Sequence, residues 1–326
     1  MNASIVALVE GVLAGDRRSM ARAISMVEDG DPGLEELSRE LFPRAGRAAT
    51  VGLTGSPGVG KSSLAACLVG AARDRGQTVA VLAIDPTSPF SGGALLGDRL
   101  RMQAHATDPG VFIRSMATRG HLGGMALAAP EAIRILDASG KDLVVVETVG
   151  VGQAEVEVAT ATDTTLVVVS PGWGDAVQVA KAGILEIADV FVVNKADREG
   201  ADEAVRDLNL MIRMGPETDW TPPVVRTSAA TGEGVDELWD AIERHRAHQE
   251  ATGTLARRRH RRVLEEVEGM VAERLRARAA AALDGPEGAD LAAGLTARRI
   301  DPYAAAAALA ERVATAAEVR VGGTDG

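Results

Sequence analysis

Apolar residues recur at helical spacing over the first 48 positions. Ile5, Leu8, Val9, Val12 and Leu13 make one stripe, and Met20, Ala23, Ile24 and Val27 make a second. Gly15-Asp16 ends the first predicted helix and can cap the next. Asp31-Pro32 predicts an N-cap followed by proline at the first position of a third helix, through Leu34, Leu37 and Leu41. From residue 49 the pattern changes to short apolar runs at Ala49–Thr54, Thr78–Ile84, Val111–Arg114, Leu143–Glu147, Thr165–Val169, Val190–Val193 and Val224–Thr227. Between them lie predicted helices at 61–75, 124–138, 175–188, 201–213 and 234–248. Continuous Val/Leu runs belong to strands buried on both faces, which means a parallel sheet with helices on each side. After residue 250 the strands stop. Leu264, Val267, Val271 and Leu275 then form a narrow stripe on a long charged helix, and Asp301-Pro302 starts an Ala-rich helix through Leu309 and Val313. Such a stripe needs a covering surface, either the chain's own α/β domain or a second copy.

Composition narrows this picture. The chain is 46% hydrophobic but only 2% aromatic, so Ala, Val, Leu and Ile must build the core, as suits helices on a parallel sheet. A net charge of -11 argues against a nucleic-acid binder. Arg257-Arg258-Arg259-His260-Arg261-Arg262 is a local exception, read as a solvated helix face or as a seat for an acidic partner. A single cysteine, Cys67, excludes a disulfide framework and a cysteine zinc cluster, and reads as a core residue. With neither a signal-peptide pattern nor an uninterrupted apolar run of about 18 residues, the expectation is a soluble cytoplasmic protein without membrane contact.

Candidate chemistry sits where the predicted strands end. Gly55-Ser56-Pro57-Gly58-Val59-Gly60-Lys61-Ser62, followed by Ser63, lies between an apolar strand and a helix, the context that a phosphate-binding loop requires. Its glycines let backbone N–H groups converge on phosphates at a helix N-terminus. Lys61 is expected on the β- and γ-phosphates and Ser62 on Mg2+. Asn194-Lys195-Ala196-Asp197 follows another strand, and Asp197 can accept from both N–H groups of guanine, which adenine cannot offer. Ser228-Ala229, leading into Thr231-Gly232-Glu233-Gly234, fits a loop that closes over the base. The expected ligands are therefore GTP or GDP with Mg2+.

The hydrolytic half is less ordinary. Glu147-Thr148-Val149-Gly150 stands where many GTPases have Asp-x-x-Gly. Glu147 can hold Mg2+ through water, and the Gly150 N–H can reach the γ-phosphate. The residue after that glycine, where some GTPases place a water-orienting Gln, is Val151; Gln153 is a weak substitute. Slow intrinsic hydrolysis, accelerated by a partner, is the expectation. The Gly/Pro/Ser-rich stretch from Asp85 to Asp98 reads as a loop that becomes ordered around nucleotide. Asp85 reads either as a strand-end turn former or as a group near Mg2+, and Asp98 either as a helix N-cap or as a group near Mg2+ or the attacking water.

Taken together, Gly55–Ser63, Ala83–Met102, Arg114–Gly124, Glu147–Gln153 and Asn194–Asp197 resemble the methylmalonyl-CoA mutase-associated GTPases of the MeaB/ArgK type, in the SIMIBI class. The resemblance covers nearly the whole chain. It implies an α/β P-loop NTPase three-layer fold with a mostly parallel central sheet, an N-terminal helical extension (1–48), a GTPase domain (49–250) and a C-terminal helical dimerisation arm (251–326). It implies that Lys61, Ser62, Asp85, Asp98 and Glu147 form the phosphate, magnesium and hydrolysis site. It also implies that Asp175, Gln178 and Lys181 belong to a further switch facing the partner, although by themselves they are polar positions at a helix start. The implied function is a homodimeric chaperone that gates adenosylcobalamin loading of a cobalamin-dependent acyl-CoA mutase and protects that enzyme.

Three rival functions stand beside it. A nickel-type metallochaperone GTPase needs exposed His or Cys ligands, and His105, His121, His245, His248 and His260 are scattered. A transport-system kinase for arginine and ornithine needs a second substrate site. A targeting GTPase of the signal-recognition type needs a Met-rich groove, which 9 dispersed methionines do not make.

Overall fold

The computed structural model describes residues 2–85, 105–117, 125–148, 158–172, 186–216 and 218–321. Two compact units are distinguished, Met1–Val263 and Leu264–Gly326.

In the first unit a seven-stranded sheet has the order β3-β2-β4-β1-β5-β6-β7. The strands are β1 (Ala49–Thr54), β2 (Val79–Asp85), β3 (Val111–Ala117), β4 (Leu143–Thr148), β5 (Thr164–Val169), β6 (Val190–Val193) and β7 (Val224–Arg226). Every pairing is parallel. All residues of β4, β5 and β6 are buried, as the unbroken apolar runs require.

Alternate residues of each strand feed opposite faces. Ala80, Leu82, Ile84, Val144 and Val146 pack toward α5 (Met125–Ala138) and toward three N-terminal helices, α1 (Ala3–Leu13), α2 (Arg17–Asp29) and α3 (Leu34–Leu41). Val51, Leu53, Val81, Val145 and Val168 pack toward α4 (Lys61–Asp74) and α7 (Val235–Thr252). A third cluster joins Val167, Val169, Phe191 and Val193 to α6 (Ala201–Met214). The N-terminal stripes thus share a core with the sheet: Met20, Ile24 and Leu37 are fully buried in the cluster that holds Leu82 and Met116.

The caps follow the sequence with one exception. Asp16 caps α2 by accepting from the Ser19 N–H. α3 opens at Leu34 rather than at Pro32, because the Asp31 carboxylate accepts from the Gly33 N–H at 2.7 Å and its carbonyl accepts from Leu34, making a turn ahead of the helix.

The amino end of the sheet carries a repeated device. Asp142, Asp163 and Asp189 each precede a strand, and each accepts from a backbone N–H at the start of the neighbouring strand: Thr78, Thr50 and Thr165 respectively. Two of these carboxylates are also gripped by α8 (Thr254–Leu283). Arg259 and Arg262 reach Asp163 at 2.6 and 3.1 Å, and Arg258 reaches Asp189 at 3.0 Å. The basic run is therefore not a uniformly solvated face. Three of its arginines face acidic partners inside the same chain.

The second unit contains the remainder of α8 with α9 (Pro286–Thr296) and α10 (Pro302–Val321). Asp301 caps α10 by accepting from Tyr303 and Ala304. Leu264, Val267, Val271 and Leu275 are each about half exposed. Among the described residues no helix is long and apolar enough to cross a membrane.

Candidate nucleotide site

Strand order reverses around β1, and ligands of open parallel sheets bind outside the carboxyl ends of the strands at such a point. The loop from Gly55 to Gly60 lies there, between β1 and α4. Gly55 and Gly60 have φ of 134° and 97°, and both approach other groups too closely for a side chain. A Cβ on Gly55 would lie 2.1 Å from the Val168 carbonyl oxygen, and one on Gly60 would lie 2.4 Å from Asn194 Nδ2. Conformation and space each demand glycine at these two positions.

α4 begins at Lys61, so the first residues of the helix carry the chemistry. Lys61 is buried, and its ammonium donates to the Gly55 and Ser56 carbonyls. Ser62 Oγ donates to Glu147 Oε1 at 2.6 Å. The sheet register places that carboxylate, because Glu147 on β4 stands beside Leu53 of β1 and Ala83 of β2. A buried carboxylate, a hydroxyl and an ammonium thus meet at the mouth of the glycine loop. Hard oxygen donors of this kind suit a Mg2+ that keeps part of its water shell and takes its remaining ligands from phosphate.

Asn194, 2% exposed at the end of β6, braces three loops. Its Nδ2 donates to the Val59 carbonyl at 2.8 Å, and its Oδ1 accepts from the Ala229 N–H at 3.1 Å and from Thr227 Oγ1 at 3.3 Å. Lys195, held at φ 59°, extends its ammonium to the Gly58 carbonyl at 2.6 Å. Asp197 is exposed beside this brace; the Ser228 hydroxyl and then its own backbone N–H hold its carboxyl below the usual value. Ser228 and Glu233 close a tight antiparallel bridge after β7. Cys67 Sγ, half-buried on α4, lies 3.5 Å from the Ala229 carbonyl, so the phosphate helix also touches the loop after β7. Nothing in the motif spacing signalled that contact.

The predicted site residues Gly55, Ser56, Pro57, Gly58, Val59, Gly60, Lys61, Ser62, Ser63, Glu147, Asn194, Lys195, Asp197, Ser228 and Ala229 are brought to one end of the sheet by β1, β4, β6 and β7. Asp85 is the last residue of β2, paired with Ala117 of β3, and its side chain lies outside the described residues. Asp98, Gly150, Asp175, Gln178 and Lys181 also lie outside them, as do Val151 and Gln153.

A family model described as methylmalonyl-CoA mutase-associated GTPase MeaB matches residues 20–284. The chain belongs to the MeaB family. A Pyrococcus abyssi protein described as a GTPase is 49% identical over 303 residues, spanning 92% of this chain and 94% of that one. The mouse mitochondrial methylmalonic aciduria type A homolog is 37% identical over 273 residues, spanning 77% of this chain and 65% of its own. A crystal structure titled LAO/AO transport system kinase superposes with a TM-score of 0.70 at 26% identity, covering 96% of this chain and 98% of that one. This MeaB-family chain is a P-loop GTPase, and its glycine loop, buried lysine and Asn194 brace lie together at the carboxyl end of the sheet.

Proposed function

We propose that this MeaB-family GTPase is a chaperone for a cobalamin-dependent acyl-CoA mutase, using GTP hydrolysis to gate adenosylcobalamin loading and to protect the enzyme. The observation that carries the reading is the family match over residues 20–284, whose description names the mutase association. The name of the mouse relative, a methylmalonic aciduria homolog, points the same way. The proposed layout is a helical extension over 1–48, a GTPase domain over 49–250 and a dimerisation arm over 251–326. A second copy of the chain would cover the half-exposed Leu264, Val267, Val271 and Leu275 stripe.

In the proposed site the backbone of Gly55–Ser63 cradles the phosphates and Lys61 lies against the β- and γ-phosphates. Ser62 and Glu147, with Asp85 and Asp98, hold Mg2+, which when bound neutralises charge developing on the phosphate oxygens. Water attacks the γ-phosphorus; its oxygen forms the new bond as the bond to the bridging β–γ oxygen breaks, giving GDP and phosphate. The Gly150 N–H supports the γ-phosphate during that step. Asp197 accepts from the two N–H groups on the guanine edge, with Lys195 and the Ser228-Ala229 loop beside the base. With Val151 rather than Gln after Gly150, the attacking water lacks its usual orienting amide. Asp175, Gln178 and Lys181 form the switch through which the mutase corrects this deficit.

Adding cobalamin-dependent mutases from the same source to the purified protein tests the chaperone reading. Binding and a rise in GTP turnover with one of them are expected; neither with any of them removes the client and leaves the GTPase intact. Base selection is tested separately by Asp197→Asn. The amide can donate to the 2-oxo group of xanthine, so preference moves from GTP to XTP, with GTP affinity down about 100-fold. Unchanged GTP affinity would remove Asp197 from the base site.

A further inference from the structure

The lysines of this chain are Lys61, Lys141, Lys181 and Lys195. Lys61 and Lys195 lie in the loops at the carboxyl end of the sheet, and Lys181 belongs to the proposed switch. Lys141 has no such role. The remaining cations, histidine aside, are arginines, which stay charged, whereas a lysine can shed its proton and become a nucleophile.

Lys141 stands in the turn between α5 and β4, at the amino end of the sheet. Val79 of β2 is beside both Val111 of β3 and Leu143 of β4, so the residues leading into these strands share one level. There the Thr78 N–H and hydroxyl both donate to Asp142 at 2.7 Å, which ties the Lys141 turn to the approach to β2. Arg73 of α4 donates to the Gln77 carbonyl and pairs with Asp108 at 2.8 Å. Arg17, the first residue of α2, donates to the Val111 carbonyl at 2.8 Å and to the Asp108 carbonyl at 3.2 Å. Three cations thus gather at one corner of the sheet, and among the described residues neither Arg17 nor Lys141 has a carboxylate partner.

Lys141 is 9% exposed, and among the described residues its ammonium meets no hydrogen-bond acceptor while keeping some accessible surface. It therefore lacks most of the water, the acceptor and the counter-ion that normally favour the charged form. Burial first, then Arg17 and Arg73, push it below the ordinary lysine value, with Asp142 and Asp108 opposing. The neutral amine is a nucleophile at a narrow opening between guanidiniums. Acylation or imine formation there would give a neutral product that only relieves the repulsion among cations. A small electrophile that becomes an anion on addition converts that repulsion into attraction. The nearby carboxylates are already engaged, Asp108 by Arg73 and the Gly110 N–H, and Asp142 by Thr78.

We infer that Lys141 is a modification site for carbon dioxide, whose carbamate is held by the charge of Arg17 and Arg73. The ammonium gives a proton to solvent, and the nitrogen lone pair forms a bond to the carbon of CO2. One C=O π pair moves onto its oxygen, and a second proton leaves the nitrogen. The product is the anion Lys–NH–COO−, formed without oxidant or reductant, and the side chain passes from cation to anion.

The test uses the full chain loaded with GDP, so that the proposed nucleotide site is filled, equilibrated with 13C-bicarbonate and observed by 13C NMR. A carbamate resonance is expected that is lost in Lys141→Arg, which keeps the charge and removes the nucleophile. Carbamates on the N-terminal amine or on other lysines persist in that variant and serve as controls. Arg17→Gln should lower the Lys141 resonance about threefold, as expected for a partly screened ion pair. GDP retention checks the folding of both variants. If no carbamate resonance is lost in Lys141→Arg, or if the label appears only at the shift of bicarbonate, the site is overturned. Equal intensity in Arg17→Gln overturns the part given to the guanidiniums.

Discussion

At the carboxyl end of the sheet the chain buries Lys61, Ser62, Glu147 and Asn194 among the backbone groups of several loops; at the amino end it buries Asp163 and Asp189 against arginines of α8. Both ends bury polar groups, which costs free energy unless each finds a partner. At the amino end the partners are internal and numerous. Asp163 accepts from Thr50, Arg259 and Arg262, and Asp189 accepts from Thr165 and Arg258 with His245 Nε2 at 3.2 Å. At the carboxyl end Asn194 ties the glycine loop to the loop after β7. One end uses its polar groups to hold strands together, and the other, in the proposed function, arranges them for a ligand. Substitutions at the two ends should therefore separate stability from activity.

The largest effect is expected from Asp163→Ala. It leaves the Arg259 and Arg262 guanidiniums on backbone carbonyls without their counter-charge and takes the side-chain acceptor from the Thr50 N–H, and removing one member of a buried ion pair costs about 3–5 kcal/mol. Urea unfolding should show a lower midpoint with an unchanged slope. Per folded molecule, GTP turnover should stay close to wild type. A large loss of turnover in the folded fraction would mean that the two ends are not separable.

Lys61→Ala is the converse. Losing one preorganised positive donor in a nucleotide site typically lowers turnover by about 100- to 1,000-fold. The ammonium now rests on two loop carbonyls at a ligand-facing mouth rather than on carboxylates that hold strands together, so the unfolding midpoint should move less than in Asp163→Ala. A steady-state phosphate-release assay beside a urea curve reads both quantities. A collapse of stability here would make Lys61 a structural strut rather than a phosphate ligand.

How much of this was legible follows the same division. The carboxyl end was legible in its geometry, because a tight strand-to-helix loop demands particular residues at fixed spacing: Gly55 and Gly60 for close backbone approach, with Lys61 and Ser62 opening the helix. The strands were legible too, since continuous Val and Leu runs have few other uses in a chain of this size. The amino end was not, because an Asp ahead of a strand looks like any turn residue until the register puts a neighbour's N–H beside it. The signal was present as a repeat, with Asp142, Asp163 and Asp189 each standing immediately before an apolar run. The arginine partners of Asp163 and Asp189 lie about 70 to 100 residues later in the chain, beyond local pattern reading. The α3 cap was missed by two residues for a local reason: Asp31 can serve a turn as well as a helix.

Acid should weaken the amino end. Burial alone would raise the Asp163 carboxyl, but Arg259 and Arg262 outweigh it and hold its pKa below the ordinary 3.8. Burial likewise opposes ionisation of Asp189, and His245 and Arg258 outweigh it. A carboxylate with a depressed folded pKa contributes stability that is fully present above its unfolded value and is lost as pH falls through the folded one. Thermal midpoints should therefore hold near neutrality and decline once the pH drops below about 4. An Asp163→Asn variant, already without that charge, should decline less steeply over the same interval. Parallel declines would place the acid-sensitive groups elsewhere.

The smallest effect should come from Arg258→Ala, and it sharpens the comparison within the amino end itself. Arg258 and Arg262 both grip a buried carboxylate, yet the Arg258 side chain is 43% exposed and that of Arg262 is 17%. Water screens the more exposed pair and can replace its guanidinium, and Asp189 keeps the Thr165 N–H and His245 as partners. Arg258→Ala should therefore cost about 1 kcal/mol or less. Arg262→Ala should cost more, because it also strands the Ala161 and Thr162 carbonyls that its guanidinium now serves. Equal losses in the two variants would mean that charge near the sheet's amino end, rather than desolvated pairing at particular atoms, holds α8 to the strands.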